Sequence, residues 1–505
     1  MKAPTADTEA PGAHLTGTAR AWIMVSLLIA ILPLQLDALV TATAVPTVVG
    51  DLGGFKQIAW VSTVYLLTMA VGTLVAGRLG DMFGRKTFHL LALTLFFAGS
   101  AWTGLSLDMA DFIAARALQG LGAGMAITTV LSIVPDIAPA HLRSRYQGLL
   151  GVMAPISMIA GPIIGGVLTD HLGWRWIFLL NLPVIAIAIT VAAVFLRLPR
   201  RQVSGPIDLT GMVLASIGAC GAVLAVTWAG LHGWSSPPVW LAGLVGVLAF
   251  AGLVPAELRA AHPVLPVRQL SKRTLVMCIV IMFCGAGAVL MAVANFVPIF
   301  QQWTQHQSAS SSGLLLLPML LPAIVMVVAC GQYLTKADRF RETLIAGAAL
   351  LALGCGLLAT MTVRSPVWLT ACFLAVAGAG VGMLMKTPLV LLQNNVPPDH
   401  VGAATGTATY FRMLGGALGV GVLGTLFSST AQRALQAAPR AGVDASVLST
   451  HTPDDAAGLS AQAQQAVAEA VASGMSALFW VTLVLSAIAV VAAVAVPRGV
   501  RTPTT

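Results

Sequence analysis

The sequence predicts an all-α integral membrane protein of fourteen spanning helices, built as two six-helix halves with two extra helices between them. Three observations carry this reading. The composition is 57% hydrophobic and 9% charged, with a mean hydropathy of +0.89, whereas about a quarter of the residues of a soluble domain are charged. Apolar runs of roughly the 20 residues a helix needs to cross hydrocarbon recur from residue 21 to residue 496. The chain also repeats itself. A shift of 254 residues lays Gly148 on Gly402, Ala154 on Ala408, Gly161 on Gly415 and Gly165 on Gly419, and the same shift lays Gly77 on Gly331 and Arg85 on Arg339. One offset at two separated places predicts two related halves.

The predicted spans are 21–46, 57–79, 88–107, 111–134, 145–169, 175–196, 208–230, 237–256, 274–301, 312–335, 343–362, 367–394, 402–428 and 474–496. Residues 1–20 form a polar N-terminal segment ahead of a first span too long for a signal-peptide core, so no cleavage is expected. Residues 21–200 make the first half, 201–260 the two inserted spans, 261–496 the second half and 497–505 a tail. The long loop 430–473 contains AQAQQAVAEAVAS, which predicts a short Ala-rich helix outside the bundle.

The net charge of +9 is distributed by side rather than along a stripe. Arg78, Arg85 and Lys86, then Arg143 and Arg145, Arg197, Arg200 and Arg201, Arg268, Lys272 and Arg273, and Lys336, Arg339 and Arg341 fall in alternate connections. That asymmetry places both termini in the cytoplasm of a multi-pass inner or plasma membrane protein, and it argues against a nucleic-acid partner. The six cysteines all lie in predicted spans without CxxC or Cys/His spacing, and read as packing residues. The nine histidines lie in loops or at span ends, so no metal site and no cofactor is expected.

Charge inside a span is scarce and therefore informative. In span one, PLQLDALVTATAVP (Pro33 to Pro46) carries the acid Asp37, and span four opens RALQGLGAG with Arg116, followed by Gln119, Gly120, Gly122 and Gly124. A buried arginine costs about 2.5 kcal/mol or more on insertion, so it should face the bundle interior and have a partner. At 1.5 Å per residue, Asp37 and Arg116 lie at depths below the outer ends of their spans at which they can meet. Burial favours a neutral carboxyl and an adjacent arginine favours a charged one. Two readings follow: a proton-exchanging site, or a fixed pair that holds helices together.

After span two, GRLGDMFGRKT (Gly77 to Thr87) lacks phosphate-loop spacing, because three residues separate Gly80 from Gly84 and Arg85 precedes Lys86. ATP binding is not expected. Asp81, Arg85 and Lys86 instead offer charged contacts that one conformation makes and another releases. Span five carries Gly148, Ser157, Gly161, Pro162, Gly165 and Gly166, small residues at four-residue spacing with a helix-bending proline. The remaining span-interior bases are Arg412, in TYFRMLGG, and Lys386, in GMLMKTPLVLLQNN. Lys386 either snorkels to the interface or meets an anionic or zwitterionic solute. Gln35, Tyr65, Gln119, Asn295 and Tyr410 are the uncharged candidates for a central cavity.

The turn after span two, the Arg116 span and the glycine series of span five, in this order, resemble the signature set of the major facilitator superfamily and in particular of its drug:proton antiporters. LDALVTATAVPTVVGDLGG in span one, WRWIFLLNLP (Trp174 to Pro183) and the two extra central spans resemble the fourteen-span EmrB/QacA branch. The likeness runs from span one through PPDHVGAATGTATYFRMLGGALG (Pro397 to Gly419).

It implies a major facilitator fold and a secondary active transporter, a proton-coupled antiporter that exports drugs or natural-product-like molecules by alternating access. Its partners are then a small-molecule substrate, protons and the bilayer, with a monomer as the expected state. Carried over by residue, Gly77, Asp81, Gly84, Arg85 and Lys86 form a cytoplasmic gate, Asp37 and Arg116 serve proton coupling, and Gly161, Pro162, Gly165 and Gly166 are the antiporter motif. Ser157 stands where the motif has Gly, and Thr335 matches Asp81 in the second half, so no symmetric second gate is expected. Two alternatives stay open: export of one endogenous metabolite, anionic or zwitterionic, with Lys386 in its site, and a receptor or scaffold that does not transport. No paired acids or nucleophile constellation suggest an enzyme.

Overall fold

The computed structural model describes residues 17–137, 140–196, 208–260, 272–337, 339–396, 401–437 and 459–497, in which helices and short connections are found and no strand. Thirteen helices are long and apolar enough to cross a membrane, and Trp60–Ala76 is a shorter apolar stretch, which together account for the fourteen predicted spans.

The first half contains α1 (Gly17–Leu52), α2 (Trp60–Phe83), α3 (Arg85–Leu105), α4 (Met109–Ile137), α5 (Ala140–His171), the short α6 (Arg175–Leu179) and α7 (Asn181–Phe195). Two inserted helices follow, α8 (Leu209–His232) and α9 (Pro237–Arg259). The second half begins with one long rod, α10 (Arg273–Ile281), a π-helical stretch (Met282–Val289) and α11 (Leu290–Gln305). It continues with α12 (Ala309–Leu314), α13 (Leu317–Ala337), α14 (Phe340–Ala359), α15 (Val367–Asn394), α16 (Val401–Gln436) and α17 (Ala461–Ala495). The π-helical stretch, MFCGAGAV, holds Gly287, whose lack of a side chain lets α16 press its backbone at Arg412 and Gly416 against the widened turn.

Helix against helix, the two halves repeat one arrangement. In the first, α4 packs on α2 and α3, and α1 on α5; in the second, α15 packs on α13 and α14, and the π-helical stretch on α16. Small residues set these distances. A methyl group on Gly165 of α5 would stand 2.5 Å from the Val40 carbonyl of α1, and one on Gly419 of α16 would stand 2.5 Å from Cα of Ala288. Gly165 and Gly419 are the pair matched by the 254-residue shift. In lipid the gain comes from close backbone packing rather than from burial of apolar surface, so such glycines fix the register of the bundle.

The inserted α8 and α9 pack on each other, and α8 also lies along α16 and α2. Asp208 caps α8 by accepting the Gly211 N–H at 2.7 Å. The outward face of α9 is apolar, with Trp240 and Val247 more than two-thirds exposed, as a face turned to hydrocarbon should be.

One expectation is corrected. The Ala-rich segment AQAQQAVAEAVAS is not a separate helix outside the bundle: it forms the first part of α17. Ala463 is buried, and Val467, Ala470 and Val471 are packed in one cluster with Phe427 and Leu435 of α16. Small alanines let two long helices run side by side, so the last span extends well beyond 474–496.

Candidate functional site

Burial organises the charges of the first half around Asp37. Its carboxylate is 2% exposed and Arg116 is 1% exposed. Arg116 Nη1 donates to Asp37 Oδ2 at 2.5 Å and to Gln119 Oε1 at 2.6 Å, while Gln119 Nε2 donates to Asp37 Oδ1 at 2.9 Å and to Ser100 Oγ at 2.9 Å. The guanidinium carbon lies 4.1 Å from the centre of the Tyr65 ring, and Arg116 Nε reaches the Val61 carbonyl at 3.4 Å. Both carboxylate oxygens are thus occupied, inside a closed shell formed by α1, α2, α3 and α4. Arg116 and Gln119 stand three residues apart on α4, so one helix face supplies both partners. Gly120 and Gly124, on the neighbouring face, seat α4 against the backbone of Tyr65 and Met69 in α2.

The other predicted cavity residues divide. Asn295 accepts from Ser62 Oγ and donates to the Met291 carbonyl at 2.8 Å, joining α11 to α2 across the halves. Tyr410 is buried, and its hydroxyl donates to the Ala215 carbonyl of inserted α8 at 2.8 Å. Gln35 is half-buried and sits two residues from Asp37, hence almost opposite on α1. Lys386 is exposed.

The predicted gate lies at the other end of α2. Gly84 has φ +98°, a left-handed conformation that allows the sharp break between α2 and α3. Arg85 donates to Asp136 Oδ2 at 2.8 Å and to the Ser132 carbonyl, and Lys86 donates to the Ala193 carbonyl at 2.7 Å. These bonds tie α3 to α4 and α7 of the same half. The backbones of Gly77 and Asp81 belong to α2, while the side chains of Asp81 and Thr335 lie outside what is described.

At the opposite end the antiporter-type glycines meet the second half. A methyl on Gly166 would stand 2.5 Å from Cα of Ser310 in α12, and Gly313 abuts the Pro162 carbonyl. Asp170, one turn beyond Gly166, accepts the Ala309 and Ser310 N–H groups at 3.0 and 2.9 Å. Gln302 Nε2 donates to the Thr43 carbonyl at 3.0 Å and to Ser312 Oγ at 2.8 Å. Asp170 and Gln302 were not singled out from sequence. The available signal was a carboxylate four residues after the glycine pair, which reads as a loop residue.

The Major Facilitator Superfamily model matches residues 27–420. The chain belongs to the major facilitator superfamily. It is 32% identical over 88% of its length to an uncharacterized MFS-type transporter of Mycobacterium tuberculosis, and spans 65% of that relative's length. It is 31% identical to the multidrug transporter protein MdtP of Bacillus subtilis, over 81% of this chain and 76% of the other. Among solved structures, a bacterial homolog of the human lysosomal transporter Spinster in an inward-facing, unoccupied conformation is similar with a TM-score of 0.65. That match has 14% identity and covers 95% of this chain and 98% of the other, a likeness of fold alone. Two six-helix halves plus two central helices are therefore the superfamily's fold with an inserted pair.

Proposed function

We propose that the chain is a proton-coupled antiporter that exports drug-like or natural-product-like molecules across a cell membrane by alternating access. The observation that carries this is the closed ion pair of Asp37 and Arg116. Neutralising one member of a buried pair leaves an uncompensated charge and costs about 3–5 kcal/mol in a fixed surrounding. Protonation of Asp37 is therefore tied to a rearrangement of α1 against α4 that re-solvates or re-pairs Arg116. A change of that size is comparable to the roughly 5.5 kcal/mol that carries a two-state equilibrium from 1:99 to 99:1. The multidrug transporter among the relatives supports efflux as the direction.

By the distribution of basic residues, the Arg85 end faces the cytoplasm and the Asp170 end faces outward. The contacts of Gly166, Asp170 and Gln302 then close the outer side, so this is an inward-facing arrangement that takes substrate from within, the coupling proton being taken up from outside in the opposite state. The proton gradient supplies the energy. Everted vesicles carrying the protein should accumulate a fluorescent substrate when energised, and lose it within the assay when a protonophore is added. Accumulation that survives the protonophore contradicts proton coupling.

A further inference from the structure

We infer that Arg412 is the recognition site for an oxyanion on the substrate, so the transported molecules carry a carboxylate. The inference rests on the transport reading above only in that substrate passes between the halves.

Arg412 occupies a defined seam. On α16, Gly415 and Gly419 pack against Phe283 and Ala288 of the π-helical stretch. Met413 and Ala417 face α2, where Thr73 Oγ1 lies 3.8 Å from Met413 Sδ and Thr63 Oγ1 donates to the Ala417 carbonyl at 3.3 Å. At 3.6 residues per turn, Arg412 projects between these two contact lines, one belonging to each half. One turn toward the Asp170 end, at Gly416, the same stripe is closed by Leu66 and Met291. Toward the Arg85 end it continues through half-exposed Thr409 and Thr405, whose hydroxyl accepts from Gln393 Nε2 at 3.0 Å. The stripe is thus sealed above Arg412 and polar below it.

Charge decides what such a stripe binds. Arg412 is half-buried and takes part in no ion pair or hydrogen bond among the described residues. Across the seam, the carboxylate of Asp37 is buried and already neutralised by Arg116. The fixed charge offered to a molecule between the halves is therefore positive, which repels a cation and attracts an anion. An arginine inside a span needs a partner, and a guanidinium fork matches a planar carboxylate with two parallel hydrogen bonds.

The test is equilibrium binding to the purified full chain in neutral detergent, read by tryptophan quenching. Three matched sets are used, built on naphthalene, biphenyl and quinoline rings, each as the carboxylate, the carboxamide and the methylammonium. The wild type should bind carboxylates at least about tenfold more tightly than the other members, the worth of one charge-assisted contact. Arg412→Gln should level the ranking, and Arg412→Lys should keep part of it.

If the variants fail to fold, the wild-type ranking still decides. Methylammonium members binding tightest, no member binding, or a carboxylate preference that survives Arg412→Gln each overturns the proposal. Binding in detergent requires no gradient, so a failure of proton coupling leaves this result standing, and loss of the carboxylate preference leaves coupling untouched.

Discussion

Arg116→Ala should destabilise the protein by about 3–5 kcal/mol, because it strands the buried Asp37 carboxylate without its cation. The change also removes the packing of the guanidinium on Tyr65 and leaves the Gln119 amide and the Tyr65 hydroxyl as donors at the carboxylate. Thermal unfolding in detergent, followed by tryptophan fluorescence and loss of the monodisperse elution peak, measures it. Asp37→Asn should cost less, since the amide oxygen still accepts from Arg116. Combining the two changes should recover part of the loss, and the double-mutant cycle gives the coupling between them directly. A cycle with no coupling would mean that the pair contributes nothing as a pair.

Gly166→Val should abolish transport while leaving each half folded. A side chain there meets Cα of Ser310 and the Ala309 carbonyl, at 2.5 and 2.6 Å from the first added carbon, and backbone cannot move aside as a flexible side chain does. The seal between α5 and α12 should therefore fail to close. A cysteine introduced at Ser312, buried here, should be protected from a membrane-impermeant thiol reagent in the parent protein and labelled in the Gly166→Val background. Asp170→Asn should act in the same direction and less strongly. It removes the charge from two hydrogen bonds to Ala309 and Ser310, each worth about 1.5–3 kcal/mol when one partner is charged. Unchanged labelling in Gly166→Val would show that the seal lies elsewhere.

Much of this was legible in the sequence, for a physical reason that also marks where legibility stops. Apolar length predicts spans because the bilayer imposes it, and a charge inside a span predicts its own partner because leaving it alone is costly; Asp37 and Arg116 were paired on that ground. The glycine series of α5 predicted a contact face but not what it touches. Its partners are the backbones of Val40, Ala309 and Ser310, which carry no sequence signal. Tyr410 and Asn295 read as cavity residues, yet Tyr410 bonds to Ala215 of α8, and Asn295 to Ser62 of α2 and to Met291 of its own helix. The start of α17 reads as a separate short helix outside the bundle because Gln and Glu interrupt its apolar run, while its buried alanines pack with the last span inside the bundle. Asp170 and Gln302 were missed because polar residues near span ends are common, and only the meeting of the halves gives these two a role.

The central claim, that Asp37 exchanges a proton as substrate binds, is tested most directly by substrate-induced proton release from the purified protein in weakly buffered detergent. Wild type is compared with monodisperse Asp37→Asn over cationic, neutral and anionic compounds. Binding should release protons from the wild type and none from Asp37→Asn, whatever the charge of the compound that binds. Equal release from both proteins, or tight binding to the wild type without release, would contradict the claim and leave Asp37 and Arg116 as an ion pair that holds α1 to α4.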